Sequence, residues 1–233
     1  MSWFQDIIDS FTAAFIEKDR YLAYFEGFKM TLLISLFAVI VGVVIGMIVA
    51  ILKYTSMRKK GLWLIKLITD LYIGIIRGTP VYVQLLIIYY IILTSRDTPA
   101  ILAAVICFGI NSSAYVAEII RAGIEAVDKG QTEAGRSLGL SGVTTMIFIV
   151  MPQAIKNILP ALGNEFIVLI KETAIVGTIT VMDVTKAAQN IGMSTYNLLP
   201  PLIITAIMYF VVVMVLTKLL AIFERRLAQS DRR

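Results

Sequence analysis

The chain has 233 residues, 58% of them hydrophobic and only 16% charged, with a mean hydropathy of +0.85. That balance excludes a soluble domain, which at this size cannot hide so much apolar surface, and points to an all-α integral membrane protein. The formal net charge of +5 gives no reason to invoke nucleic acid, and the absence of histidine excludes a His-ligated metal and any Ser-His or Cys-His catalytic pair within the chain. Cys107 is the one cysteine, so it forms no disulfide within the chain and reads as a buried thiol in an apolar run.

Residues 1–26 carry Asp6, Asp9, Glu17, Lys18, Asp19, Arg20 and Glu26. They lack the basic start and apolar core of a signal peptide and are expected to form an external amphipathic segment that stays on the mature protein. A span needs about 20 apolar residues to cross the hydrocarbon layer. Residues 31–52 meet that without a single charge, and Gly42 and Gly46 stand one helical turn apart, a spacing that permits close helix contact. Lys53, Arg58, Lys59 and Lys60 follow. Residues 62–78 are apolar but interrupted by Lys66, Asp70 and Arg77, and read as a tilted or interfacial helix. Residues 80–93 complete the second crossing, with a kink expected at Pro80. A short turn at 95–97 leads to a third span over 99–120.

Residues 121–145 are polar and form a solvent-side loop. A fourth span is expected over 157–177, a mixed segment over 178–198, and a fifth span over 199–223. The end of the chain is basic, with Arg225, Arg226, Arg232 and Arg233. Five crossings put the segment 53–60, the loop 121–145 and this tail on one face, and their Lys and Arg content makes that face cytoplasmic, with the N-terminus outside.

Within the loop, Thr132 or Asp128 can cap a short helix and Gly139 can close it in a left-handed conformation. Ser141 can cap a second helix leading back to the bilayer, and Pro152 marks a break before the fourth span. The product is a helix hairpin on the cytoplasmic surface. The segment Glu133-Ala134-Gly135-Arg136-Ser137-Leu138-Gly139, followed after nine residues by Ile149-Val150-Met151-Pro152, resembles the EAA loop of ABC importer permeases. Glu133, Ala134, Gly139, Ile149 and Pro152 stand at the family spacing; Gly135 replaces the second Ala and Met151 replaces Leu. An exposed Gly135 would loosen the helix by roughly 1 kcal/mol. Further segments are similar to the polar amino acid branch of that family, among them 27–32, Arg77-Gly78-Thr79-Pro80, Ser113-Ala114-Tyr115, Gly130-Gln131, Pro152-Gln153-Ala154 and Lys171-Glu172-Thr173.

The resemblance covers about residues 27–226. It implies the type I importer fold, a five-helix permease domain with a coupling loop at about 128–152, followed by a basic tail over 227–233. It also implies a second permease chain, identical or homologous, two cytoplasmic ATPase subunits that hold ATP and Mg2+, and an extracytoplasmic substrate-binding protein. Glu133, Ala134, Gly135, Arg136, Gly139 and Pro152 would then form the contact with the ATPase. The chain itself has no G-x-x-x-x-G-K-[ST] phosphate loop and is not expected to hydrolyse ATP.

Polar residues deep in a span are costly and are candidates for a solute path. Glu165 falls near the middle of the fourth span, beside Asn164. Asn111, Tyr115 and Glu118 share one face of the third, flanked by Ser112 and Ser113. Glu165 can receive an ammonium group, and Asn111, Asn164 and the serine hydroxyls can hold a carboxylate. The same Asn and Ser groups can instead join helices, and Glu118 can pair with Arg121 as a latch. A central acid favours cationic or amide amino acids as solutes. A secondary carrier or channel working without an ATPase is the alternative function, against which stands the absence of a visible inverted repeat.

Overall fold

The computed structural model describes residues 2–95 and 97–229. Arg96 of the expected turn, and Arg232 and Arg233 of the basic tail, lie outside the described residues. Every regular element among the described residues is helical. In chain order they are α1 (Ser2–Phe15), a 3-10 turn (Glu17–Asp19), α2 (Arg20–Arg58), a second 3-10 turn (Lys60–Leu62), α3 (Trp63–Gly78) and α4 (Val81–Ile87), the last running into a π-helical turn (Ile88–Ile92). Then come α5 (Ala100–Glu125), α6 (Lys129–Ser137), α7 (Gly142–Thr145) with a second π-helical turn (Met146–Val150), and α8 (Met151–Glu172). A 3-10 stretch (Thr173–Ile179), α9 (Val184–Thr195) and α10 (Leu199–Gln229) complete the chain.

Among the described residues, four helical runs are long and apolar enough to cross a membrane: Glu17–Met57, Ala100–Glu125, Gly142–Ile179 and Leu199–Leu227. The bent pair formed by α3 and α4 with its π-helical turn makes a fifth crossing if the pair is one span.

Two prolines behave differently from expectation. At Pro80 the helix stops rather than kinks: α3 ends at Gly78, Thr79 is extended at φ −118° and ψ 145°, and a new helix begins at Val81. The residue before a proline is driven out of the helical region by the ring, and Thr79 obeys that constraint. Pro152 does not break the chain; it lies in a helical run that continues from Gly142 to Ile179. It sits in the first turn of α8, directly after the wider π-helical turn, where the ring and its missing N–H donor are tolerated.

The chain forms two compact units whose boundaries fall inside α2, α5, α8 and α10 and between α3 and α4. The first comprises residues 1–38, 81–108 and 167–216. Its core gathers Tyr24, Val184, Ala188 and Ile191, with Phe15 and Phe28 packed against them. The Tyr24 hydroxyl donates to the Ala14 carbonyl at 3.3 Å, and the Arg20 guanidinium donates to the Ala13 carbonyl, so the end of α1 is tied to the start of α2. Asp183 caps α9, accepting from the backbone N–H of Lys186 at 2.9 Å and of Thr185 at 3.0 Å. Burial pushes its carboxyl above the usual carboxylate range, against these N–H donors. Gly27 lies against the Asp183 backbone, where an added Cβ would come within 2.7 Å of its carbonyl carbon.

The second unit comprises residues 39–80, 109–166 and 217–233. Here α2 and α5 approach through glycine. A Cβ at Gly42 would meet Ser112 Cβ at 2.8 Å; one at Gly46 would meet Val116 Cβ at 2.7 Å and the Ser113 carbonyl oxygen at 2.8 Å. Ala50, Ile73 and Ala117 bring α2, α3 and α5 together, and Val127, Val150, Ala154 and Ile158 join the end of α5 to α8. Small residues at such crossings are what hold helices together where lipid offers no hydrophobic contrast.

Gly46→Ala is therefore expected to overpack this crossing and cost about 1–3 kcal/mol, because the Ser113 carbonyl is backbone and cannot move aside. Gly74→Ala, with nothing within 4 Å of the added carbon, is expected to be neutral or mildly stabilising. Thermal unfolding of the two variants in detergent separates them; equal midpoints would contradict the packing account.

Candidate functional site

The hairpin is built by local chemistry. The Asp128 carboxylate accepts from the Gly130 N–H at 2.7 Å and caps α6. At the other end of α6, Leu140 N–H donates to the Gly135 carbonyl at 3.2 Å and Gly139 N–H to the Arg136 carbonyl at 3.0 Å. Gly139 has φ +82°, so this is the left-handed closure that only glycine adopts without strain. The Ser141 hydroxyl accepts from the Thr144 N–H at 3.0 Å and caps α7. Each helix end thus has partners for groups that would otherwise face water or a neighbour unpaired.

Gly135 is buried, so the loosening that exposure would bring does not arise, and a Cβ there would lie 2.7 Å from Thr145 Cγ2 and 2.9 Å from Ile149 Cδ1. Thr145 is itself fully buried, with its hydroxyl bonded to the Ser141 carbonyl at 2.9 Å. Glycine at this position lets α6 close onto the return turn. Gln153 donates to the Gln131 side chain at 3.2 Å, a further tie between α8 and α6. Arg136 donates to the Leu140 carbonyl at 3.0 Å, so part of its donor set serves the hairpin's own turn. Glu133 and Ala134 are exposed on α6. Leu138 and Val143 stand out at 80% and 69% exposure, apolar side chains that sequence reasoning passed over in favour of the charged pair. The signal was their position beside the two caps, where the chain turns and side chains have little to pack on.

The mid-span polar residues divide into three groups. In the first, Ser112 donates to Glu165 Oε1 at 2.8 Å, joining α5 to α8; both are buried. In the second, Ser113 bonds the Tyr72 hydroxyl and its own Ile110 carbonyl, tying α5 to α3. The third is an ion cluster. Arg121 Nε donates to Glu118 Oε1 at 2.8 Å and also pairs with Glu125. Lys53 reaches Asp70 at 3.2 Å and Glu118 at 3.8 Å. Glu118 is thereby held between two cations. Arg77 lies over the Tyr115 ring at 5.0 Å, a cation–π contact. Asn111 is buried, and Asn164 is exposed at the surface of the chain.

Of the expected solute residues, Ser112 and Glu165 are brought into direct hydrogen-bond contact. The Lys53–Asp70 pair had no sequence signal, because the two residues lie on separate helices. Among the described residues, no three His, Cys, Asp or Glu side chains converge on a metal position.

Comparison with known proteins places these features. Residues 42–229 match the family described as the binding-protein-dependent transport system inner membrane component. The chain is 44% identical over 207 residues to a putative glutamine transport system permease protein from Rickettsia bellii, covering 88% of this chain and 93% of that one. It is 42% identical over 208 residues to the arginine transport system permease protein of Bacillus subtilis, covering 88% of this chain and 93% of that one. A crystal structure of an amino acid ABC transporter with histidines superposes with a TM-score of 0.82 at 49% identity, covering 88% of this chain and 94% of the other. The methionine ABC transporter MetNI, in an inward-facing form, shares the fold with a TM-score of 0.78 at 16% identity, over 91% and 99% of the two chains. The chain belongs to the binding-protein-dependent transport system inner membrane component family, the permease component of ABC importers and not their ATPase.

Proposed function

We propose that this permease carries amino acids of the cationic or amide type, and that Glu165 receives the ammonium group of the solute. The observation that carries this reading is the contrast between two carboxylates. Glu118 is held by Lys53 and Arg121, whereas Glu165, buried in its span, has a hydrogen bond from Ser112 and no salt bridge among the described residues. An acid kept in an apolar span with no direct ion pair, Arg77 acting on it only from a distance, is a candidate for a solute contact. The relatives named for glutamine and for arginine support both solute types.

The assembly we propose has two permease chains enclosing the path, two ATPases holding ATP and Mg2+, and a substrate-binding protein outside. Lys53, Lys59 and the loop 121–145 face the cytoplasm, and the hairpin of α6 and α7 enters a groove on the ATPase, Leu138 and Val143 leading. Motion of the ATPase would then turn the attached spans as bodies.

In proteoliposomes containing the assembled transporter, Glu165→Gln is expected to lower arginine uptake at least ten-fold, an order-of-magnitude figure for losing a charge-assisted contact. Glutamine uptake should fall less, and ATPase copurification should be unchanged. Unchanged uptake of both solutes would remove Glu165 from the path. Leu138→Glu is expected to abolish copurification of the ATPase while leaving the thermal midpoint of the isolated permease in place; retention of the ATPase would exclude the tip as the docking contact.

A further inference from the structure

Arg77 stands in the last turn of α3, just before the break at Thr79. With Lys66, Asp70 and Gly74 it falls on one face of that helix, and all four are exposed. The surface beside it is open: nothing lies within 4 Å of a Cβ built on Gly74 or Gly78. The guanidinium lies over the Tyr115 ring at 5.0 Å, a contact that steadies it without using its N–H donors. Lys53 and Arg121 are neutralised by Asp70, Glu118 and Glu125. Arg77, by contrast, forms no hydrogen bond or salt bridge among the described residues. The dipole of α3 favours a cation at this end but brings no anion to it.

Glu165 is the complement. Ser112, which donates to Glu165, and Tyr115, which holds Arg77, are three residues apart on α5, an axial step of about 4.5 Å. All four residues belong to the second compact unit. Arg77 acts from a distance on Glu118, which Lys53 and Arg121 already hold, and on Glu165, which no cation pairs directly. A cation and an acid thus stand near each other, each oriented by a neutral group of α5 and neither joined to the other. A simple amine has no use for the first, and a simple carboxylate has none for the second; an α-amino acid brings a partner for both. The serine hydroxyls expected to hold its carboxylate are engaged elsewhere, Ser112 donating to Glu165 and Ser113 to the Ile110 carbonyl. We propose that Arg77 receives the α-carboxylate of the solute, the flat guanidinium fork matching its two oxygens. A guanidinium already steadied by a ring loses little freedom on binding. The inference rests on the proposed role of Glu165 for where the solute sits; Arg77 adds what is selected there, an amino acid rather than an amine.

The test is equilibrium binding of labelled arginine and of agmatine, its analogue without the carboxylate, to the assembled permease–ATPase complex purified in detergent. The wild-type complex should bind agmatine about ten-fold more weakly than arginine, the order expected for one charge-assisted contact. Arg77→Gln should weaken arginine by about the same factor and leave agmatine no weaker, so that the preference disappears. A purely structural role would weaken both. Arg77→Lys should keep a smaller preference for arginine, and it decides the matter where Arg77→Gln does not fold: equal weakening of both ligands in Arg77→Lys would overturn the proposal. So would equal loss of both in Arg77→Gln, unchanged arginine affinity in that variant, or a wild-type complex that does not distinguish the two ligands. Separation of the permease chains of Arg77→Gln on size-exclusion chromatography would also overturn it, making Arg77 an interface residue. Glu165→Gln should weaken both ligands; wild-type binding there would sink the ammonium reading and leave Arg77 to be judged by its own variants.

Discussion

Gly135 can carry no side chain where it lies, and the hairpin takes its form from that contact. The backbone of α6 rests directly on Thr145 and Ile149, with no layer of side chain between them. Thr145 cannot swing away, because it is fully buried and bonded to the Ser141 carbonyl. The caps at Asp128 and Ser141 and the left-handed Gly139 then satisfy the helix ends within the hairpin itself. A short helix of nine residues would fray alone in water. Pressed onto its neighbour and closed at both ends, it becomes a stiff projection. Stiffness is the property a coupling element needs, since a loop that yields would absorb a stroke rather than pass it on.

The same economy governs charge inside the spans. Hydrocarbon offers no water to an ionised group, so each acid must find its own partner or serve a solute that brings one. Glu118 takes the first course, between Lys53 and Arg121, and in doing so links α2 to α5 near the hairpin. Glu165 takes neither cation and leans on Ser112. The two acids thus differ in their surroundings, one ion-paired and the other hydrogen-bonded. The distinction lies in their neighbours and is invisible in the residues themselves.

Much of this architecture was legible in the chain. Uninterrupted apolar runs such as 31–52 have no other home than a bilayer, and the caps around α6 and α7 are local chemistry that spacing reveals. The prolines were harder. Thr79 before Pro80 is extended and the helix breaks there, whereas Met151 before Pro152 stays helical, directly after a π-helical turn, and the run continues. Gly135 stood in the sequence as a mild departure from the family pattern, and its packing against Thr145 and Ile149 is a tertiary property that spacing does not show. The Lys53–Asp70 pair and the Arg77–Tyr115 contact join different helices, and one sequence without relatives carries no trace of such pairings. Asn164 and Glu165 adjoin in sequence, but a 100° step around the helix sends one to the surface and buries the other.

Amide hydrogen exchange over residues 129–150, compared between the permease alone and the permease assembled with its ATPase, addresses the central claim most directly. The account predicts that α6 and α7 are strongly protected on assembly, Leu138 and Val143 most of all, while α1 is unaffected. Exchange at the hairpin that stays the same with and without the ATPase would contradict it.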